Sequence, residues 1–130
     1  MIKYSSTTAF NREFKKMTKK YPSLPDDLST LKKAVIELYH LMGVNSLSTF
    51  PIEGLCSKEK HYLSMKVKKF ACRSLKGKGA NTGLRLIYVF EPATQSVTFL
   101  EIYCKADKAN EDKDRIKKFI KYLENQHYDK

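Results

Sequence analysis

Leu84-Arg-Leu-Ile-Tyr-Val-Phe90 and Val97-Thr-Phe-Leu-Glu-Ile-Tyr-Cys104 decide the fold, because they are strand-like runs joined by a short connection. Both are rich in the β-branched and aromatic residues that favour strands. A third strand-like run, Leu63 to Arg73, precedes them. The connections, Ser74 to Gly83 and Glu91 to Ser96, are short, so the three runs predict an antiparallel meander.

Two apolar stripes at helical spacing precede the meander. The first consists of Phe10, Phe14, Met17 and Tyr21, and the second of Leu28, Leu31, Val35 and Leu38. Thr7 or Thr8 is the expected N-cap of the first helix, and Pro25 with the following acidic residues opens the second. The two helices are expected to form a hairpin that serves packing only. Residues 43 to 60 lose this periodicity and predict a loop.

A short strand at residues 1 to 4 and a C-terminal helix complete the prediction. Asn110 is the expected N-cap of that helix. Its apolar face carries Ile116, Phe119, Ile120 and Leu123. The predicted fold class is α+β: an N-terminal helical hairpin and a C-terminal helix accompany a twisted, mainly antiparallel sheet, and the helices are expected to pack on one face of it.

Composition restricts the class of protein. The chain has 130 residues, of which 42% are hydrophobic, so one globular domain is expected rather than a disordered or fibrous chain. No stretch resembles a secretory signal or a membrane span, which favours a soluble cytoplasmic protein. Cys56, Cys72 and Cys104 include no C-x-x-C pair, so neither a zinc site nor a disulfide framework is expected.

The formal net charge of +11 is concentrated in one segment. Its basic residues are Lys58, Lys60, Lys66, Lys68, Lys69, Arg73, Lys76, Lys78 and Arg85, and Glu59 is its only carboxylate. A block of one sign on strands and loops favours a polyanionic partner. The glycines of residues 76 to 83 would let a phosphate approach the backbone, but a strand follows them, so a nucleotide-cofactor loop is excluded.

Strand alternation predicts which side chains share a face. In the first run of the meander, Lys69 and Arg73 fall on one face. In the last run Phe99, Glu101, Tyr103 and Lys105 share one face, and Leu100, Ile102 and Cys104 share the other. The second set is the expected core.

Three local patterns then point to a known family. They are Ala71-Cys-Arg-Ser-Leu-Lys-Gly-Lys-Gly79, Gly83-Leu-Arg-Leu-Ile-Tyr88 and Leu100-Glu-Ile-Tyr-Cys-Lys105. In their order, and in the order of the predicted elements, they resemble the RelE-like toxins of bacterial toxin–antitoxin modules, which include the RelE and HigB groups. The second pattern is similar to the family's G-x-R-[VL]-[IV]-Y strand and the third to its strand-ending Y-x-K. The resemblance covers nearly the full chain.

The resemblance implies a toxin that cleaves mRNA, often within the ribosome, and that an acidic antitoxin protein binds. No metal and no small-molecule cofactor are implied. The ribose 2′-hydroxyl would attack the adjacent phosphate, which yields a cyclic phosphate and a free 5′-hydroxyl. This reaction needs a base, cations for the developing charge and an acid for the leaving oxygen.

Roles follow from the matched positions. Arg85, the Arg of the G-x-R pattern, is expected to stabilise the developing charge, and Tyr103 and Lys105 fall where relatives place acid and positioning residues. The residues expected at the phosphate or along the RNA backbone are Arg73, Lys69, Lys66, Lys68, Lys76 and Lys78. Tyr88 is expected to pack or to stack on a base. The base and acid stay open, because no His lies in the last strand and Glu101 is the only carboxylate on the Tyr103 face.

Two other functions are compatible with the same residues. A non-catalytic toxin of the ParE group would share the fold and inhibit DNA gyrase, although the Lys and Arg cluster around Arg85 argues against it. A plain RNA-binding or ribosome-binding module would need only the charge, and would bind in a salt-sensitive manner without cleavage.

Overall fold

One five-stranded sheet forms the centre of the protein, which the computed structural model describes at residues 1–45, 47–57, 59, 61–79 and 81–128. The strands are β1 (Lys3–Ser6), β2 (Thr49–Cys56), β3 (Leu63–Val67), β4 (Leu84–Glu91) and β5 (Ser96–Cys104). Their spatial order is β1-β5-β4-β3-β2. β1 and β5 are parallel, and all other neighbours are antiparallel. The predicted antiparallel meander of β3, β4 and β5 is therefore confirmed.

The helices are α1 (Thr8–Lys20), α2 (Leu24–Leu31), α3 (Leu38–Met42) and α4 (Lys113–Tyr128), with a π-helical segment, Lys32–Glu37, between α2 and α3. Thr7 caps α1, since its side chain accepts a hydrogen bond from the Phe10 N–H. Pro25 lies in the first turn of α2, where its missing N–H removes no helical hydrogen bond. The α+β class and the C-terminal helix are confirmed.

The central pair, β4 and β5, contains a β-bulge at Leu100. Ile87 pairs with Glu101 and Tyr88 pairs with Phe99, which leaves Leu100 as an extra residue on β5. An ion pair between Glu13 of α1 and Arg115 of α4 binds the backbone here: Arg115 donates to the Leu100 carbonyl at 3.0 Å, and the Ile102 N–H donates to Glu13 at 3.3 Å. The bulge thus links α1, β5 and α4.

The bulge corrects the predicted faces of β5. Before it Phe99 lies on one face, and after it Ile102 lies on that same face, because the extra residue reverses the alternation. Leu100 and Tyr103 share the opposite face. The prediction that Leu100 and Ile102 share a core face is therefore wrong.

Helices cover the sheet on both faces. One core consists mainly of residues from α1, α2 and the even positions of β4, and Phe10 stacks on Phe99 within it at 5.4 Å. The other core contains Ile87, Val89, Ile116 and Ile120, so α4 packs on the opposite face. The expectation that all helices share one face is wrong. The physical reason is the unbroken apolar run of β4, which needs cover on both sides.

Two strand boundaries also differ from the prediction. The segment predicted as a loop contains β2, an edge strand that includes Pro51 and pairs with β3. β3 ends at Val67 instead of Arg73, because Phe70 and Cys72 turn into the core. Lys69 and Arg73 consequently lie in the connection to β4, and the predicted strand face that they share does not exist.

The start of α4 is capped by Asp112 and Glu101 rather than by Asn110. The Asp112 side chain accepts a hydrogen bond from the Arg115 N–H at 3.1 Å, and the Asp112 N–H donates to Glu101 at 2.9 Å. Of the helices in the described ranges, none is both long and apolar enough to cross a lipid bilayer.

His40 of α3 is held against β4. Its ring stacks on Phe90 at 3.9 Å, and its Nε2 lies 2.7 Å from the Tyr88 hydroxyl. Burial lowers the pKa of His40 to about 4. The ring is therefore neutral at pH 7 in the folded protein, whereas in the unfolded chain it takes up a proton near its ordinary pKa of about 6.5.

We expect the free energy of unfolding to decrease as the pH falls from 7 to 5. Between the two pKa values the unfolded chain binds a proton that the folded protein does not bind, which costs about 2 kcal/mol by pH 5. Urea denaturation at both pH values measures this loss. His40→Gln should remove most of it, and His61→Gln, at an exposed position, should retain it. An undiminished loss in His40→Gln would assign the pH dependence to other groups.

Candidate functional site

Most of the predicted site residues belong to one end of the sheet, where β3 and β5 end and β2 and β4 begin. We call this region the cationic end. Its cations are Lys68, Lys69, Lys76, Lys78, Arg85 and Lys105. Lys68 and Lys69 follow β3, Arg85 is the second residue of β4, and Lys105 follows β5. The connection that carries Lys76 and Lys78 starts and finishes at this same end.

Among these cations, Arg85 has a charged group that hydrogen bonds to the backbone hold in place. It pairs with Tyr103 across β4 and β5, so both side chains lie on the face that α4 covers further along. Its Nη1 donates to the Lys68 carbonyl at 2.8 Å and to the Leu84 carbonyl at 3.2 Å. These bonds hold the guanidinium between the ends of β3 and β4. Its Nε and Nη2 make no hydrogen bond within the described part of the chain.

Gly83 sets the backbone conformation immediately before β4, two residues before Arg85. Its φ of +80° is in the left-handed region that favours glycine, and a Cβ there would lie 3.7 Å from the Cys104 sulfur. The Gly83 carbonyl accepts a hydrogen bond from the Lys105 N–H at 2.8 Å. The backbone of Lys105 is thereby fixed next to Arg85, while its side chain is exposed.

Tyr103 lies beneath this surface and is only 6% exposed. Its hydroxyl is buried and lacks a hydrogen bond of good geometry to any described residue, although the Lys66 ammonium is near. The Lys108 ammonium lies over its ring at 5.5 Å. Burial raises the pKa of Tyr103, and the Lys66 charge offsets only part of this increase. The hydroxyl therefore stays protonated at neutral pH.

Lys66 forms a half-buried ion pair with Glu111 at 2.9 Å. Burial lowers the pKa of Lys66, but Glu111 and Tyr103 together outweigh that effect, so the pKa lies above its ordinary value. Glu111 correspondingly has a lowered pKa: burial raises it, and the Lys66 ammonium, a backbone hydrogen bond and the charge of Lys113 together more than compensate. Lys66 is thus a neutralised cation, in contrast to the exposed lysines of the cationic end.

Arg73 is also paired, at a different place. Its Nε lies 3.2 Å from Asp27 and its Nη2 lies 3.3 Å from Asp26, both on α2. None of the cations of the cationic end has a described carboxylate within salt-bridge distance, whereas Lys66 and Arg73 both do. Lys58 and Lys60 of the basic segment lie outside the described residues.

Tyr88 belongs to the core. It is 0% exposed, bonds to His40 and packs edge-on against Phe99. Burial raises its pKa well above the ordinary range. Its role is therefore packing, and the expected contact with an RNA base is wrong because no part of the ring reaches the surface.

Glu101 does share the face of Tyr103, but its carboxylate is buried and already bound by other groups of the protein. It is 1% exposed, pairs with Lys108 and accepts a hydrogen bond from the Asp112 N–H. The three groups join the end of β5 to the start of α4. Glu101 is thus a structural carboxylate with no access to a substrate.

Sequence reasoning missed Phe50 and Glu111. Phe50 lies in β2 opposite Lys66, and the Lys68 ammonium lies 5.0 Å above its ring. The run Thr49-Phe-Pro-Ile52 is typical of an edge strand and was the available signal. Glu111 lies far from Lys66 in sequence, and no local pattern indicates their pairing.

A cavity of about 740 Å³ lies along the edge of β5, beyond the last residue that pairs with β1. Met17, Tyr21, Ile102 and Cys104 supply its apolar lining, and lysines of α1 surround it. Tyr103 is the only predicted site residue in its lining. The cavity beside Phe50, Lys66 and Lys68 at the cationic end is smaller, about 260 Å³. Because the lysines of this end are exposed, it suits an extended polyanion better than an enclosed small molecule.

Comparison with known proteins identifies no relative: no family model matches the chain, and no curated protein matches it. The resemblance to RelE-like toxins stays a prediction that depends on the three motifs and the order of the elements.

Glu111→Gln should destabilise the protein by about 2–4 kcal/mol, because it leaves the Lys66 ammonium half-buried without an anion. Thermal or urea denaturation at pH 7 measures the loss. The double variant Lys66→Met with Glu111→Leu should recover most of it, since it removes both charges. Glu53→Gln, at an exposed position of β2, serves as the matched control. Wild-type stability in Glu111→Gln would show that the pair contributes nothing.

Proposed function

We propose that this chain is the toxin of a toxin–antitoxin module and cleaves mRNA, in association with the ribosome, at the cationic end of its sheet. The observation that carries the proposal is a cluster of cations around Arg85 and Tyr103 that have no carboxylate partner among the described residues, in contrast to the paired Lys66 and Arg73. Unpaired cations on an open strand end attract phosphates, because nothing else neutralises them.

The exposed lysines would bind the RNA backbone, and Arg85 would bind the scissile phosphate. Lys68, Lys69, Lys76, Lys78 and Lys105 are all exposed. Arg85 uses only Nη1 for the carbonyls of Lys68 and Leu84, so Nε and Nη2 remain for two phosphate oxygens. Hydrogen bonds to backbone carbonyls hold this guanidinium in place. It is therefore preorganised for the transition state, in which negative charge accumulates on the phosphate oxygens.

In the proposed reaction the ribose 2′-oxygen attacks the phosphorus, and the bond from phosphorus to the 5′-oxygen breaks. A 2′,3′-cyclic phosphate and a free 5′-hydroxyl result: the 2′-hydroxyl gives up its proton to the solvent and the leaving 5′-oxygen takes one up, so no net proton is consumed. Tyr103 keeps a protonated hydroxyl opposite Arg85, but that hydroxyl is buried, so it is not assigned as the donor to the leaving oxygen. No residue is assigned as the base, because Lys66 stays charged beside Glu111.

An acidic antitoxin is the protein partner that this proposal implies. The surplus of positive charge, +11 over the chain, favours an acidic protein at the same surface. Because the antitoxin and the RNA would compete for the same cations, both interactions should weaken as salt increases.

Primer extension on an mRNA during translation in a purified system tests the proposal. The wild-type protein should produce discrete cuts that require ribosomes. Arg85→Ala should reduce cutting about 100-fold or more, as expected when a group that stabilises the transition state is lost. Arg12→Ala removes the same charge from an exposed position on α1 and should cut like the wild type.

Thermal unfolding must first show that Arg85→Ala is folded, since the variant also loses two hydrogen bonds to the backbone. Cuts of wild-type intensity from a folded Arg85→Ala protein would contradict the assignment of the site. An intact message in the presence of the folded wild-type protein and ribosomes would contradict cleavage altogether.

RNA binding without cleavage is the second candidate, and one observation favours it. Tyr103 is buried and Lys66 is neutralised by Glu111, so these two groups are less accessible than a proton donor and a base should be. This candidate predicts salt-sensitive binding of RNA by the protein and no cuts in the same reactions. Inhibition of DNA gyrase without RNA binding would instead favour a ParE-like toxin.

A further inference from the structure

The connection between β3 and β4 is fastened to the start of α2. Ser23, which precedes α2, and Ser74 bond reciprocally: the Ser23 N–H donates to the Ser74 Oγ at 3.0 Å, and the Ser74 N–H donates to the Ser23 Oγ at 2.8 Å. A third bond joins the two hydroxyls at 2.8 Å. These two residues are far apart in sequence, so the bonds restrict the connection to one position.

Asp27 is the centre of this junction. It is only 7% exposed, and its carboxylate accepts hydrogen bonds from the Ser23 hydroxyl at 2.6 Å, the Arg73 N–H at 3.1 Å and the Arg73 Nε at 3.2 Å. Burial alone would raise its pKa, but the bonds from Ser23, Cys72 and Arg73 together lower it. Asp27 therefore stays ionised and bonded at neutral pH.

A separate pair of hydrogen bonds joins the two ends of the same connection. The Thr82 hydroxyl donates to the Phe70 carbonyl at 2.6 Å and accepts from the Leu84 N–H at 3.1 Å. The segment between these two fixed points includes Lys76 and Lys78, both exposed. Their backbone is thus anchored on one side by Asp27 and on the other by Thr82.

We propose that Asp27 is a positioning residue for RNA binding: by holding residues 72–74 on α2, it restricts where the lysines of the connection lie at the cationic end. Arg73 then acts as part of this fastening and does not contact the phosphate. The inference rests on the proposed function, since it concerns the same surface, but it adds a residue of the opposite charge to the binding apparatus.

A positioning role and a simple charge effect predict opposite results. If only electrostatics mattered, removal of the Asp27 carboxylate would raise the net charge and tighten RNA binding. If Asp27 positions the connection, its removal frees the lysines to move and weakens binding. The sign of the change therefore separates the two explanations.

The experiment measures the binding of a fluorescently labelled single-stranded RNA by anisotropy at several salt concentrations. Asp27→Asn should bind about tenfold more weakly than the wild type, with a smaller dependence on salt because fewer lysines contact phosphates at once. Asp26→Asn is the matched control: it removes an exposed carboxylate from the adjacent position and should bind as well as the wild type or more tightly.

Two further variants keep the test decisive. Ser74→Ala removes the other half of the fastening without a change in charge and should also weaken binding. Arg73→Ala combined with Asp27→Asn should be no weaker than Asp27→Asn alone, because both act through one contact. Binding by a folded Asp27→Asn protein that equals or exceeds that of the wild type would overturn the inference.

Hydrogen exchange of residues 68–79 and 81–83 separates this inference from the proposed function. Faster exchange there in Asp27→Asn, with the rest of the protein unchanged, is expected and supports the fastening even if the wild type binds no RNA. In that case the proposed function fails and the positional role of Asp27 remains. Unchanged exchange would overturn the role of Asp27, whatever the protein binds.

Discussion

The bulge at Leu100 is the local constraint on which the rest of the structure depends. One extra residue on β5 reverses the alternation of side chains, so that Glu101 and Tyr103 lie on the face that α4 covers while Phe99 and Ile102 both contact the other core. The Glu13–Arg115 pair satisfies the backbone at this point and joins α1 to α4 across the sheet edge. Without the bulge, Tyr103 would not lie on the α4 face opposite Arg85.

The distribution of carboxylates decides which cations are available. Lys66 is bound by Glu111, Arg73 by Asp27 and Lys108 by Glu101, and in each pair the acid is almost fully buried. These cations serve the fold. Among the described residues, the six cations of the cationic end have no such partner, and their charge is open to an external anion. Lysines on α1 and α4 are also without such partners, but they are spread along helices. A basic protein of this kind thus divides its lysines and arginines into structural and surface groups, a division that net charge alone does not reveal.

Much of the fold could be predicted from local patterns, and the errors have specific causes. The α1 stripe and its Thr7 cap, the antiparallel meander and the C-terminal helix all follow from periodicity and capping, which are local properties. β2 was missed because Pro51 and Gly54 look like loop residues, although an edge strand tolerates both. The unbroken apolar run of β4 was sufficient to predict cover on both faces, so the expectation of a single covered face was an avoidable error.

The sequence by itself determined the class of fold and the position of the basic segment, because these depend on residue type and on short-range spacing. The choice of Arg85 followed from the resemblance to a family and stays a prediction. Only the tertiary structure decided that Tyr88 is buried, that Arg73 is bound to Asp27 and that Lys66 is neutralised by Glu111. The physical reason is that burial and ion pairing depend on residues that are distant in the chain. Their effect on charge and accessibility exists only once the chain has brought them together.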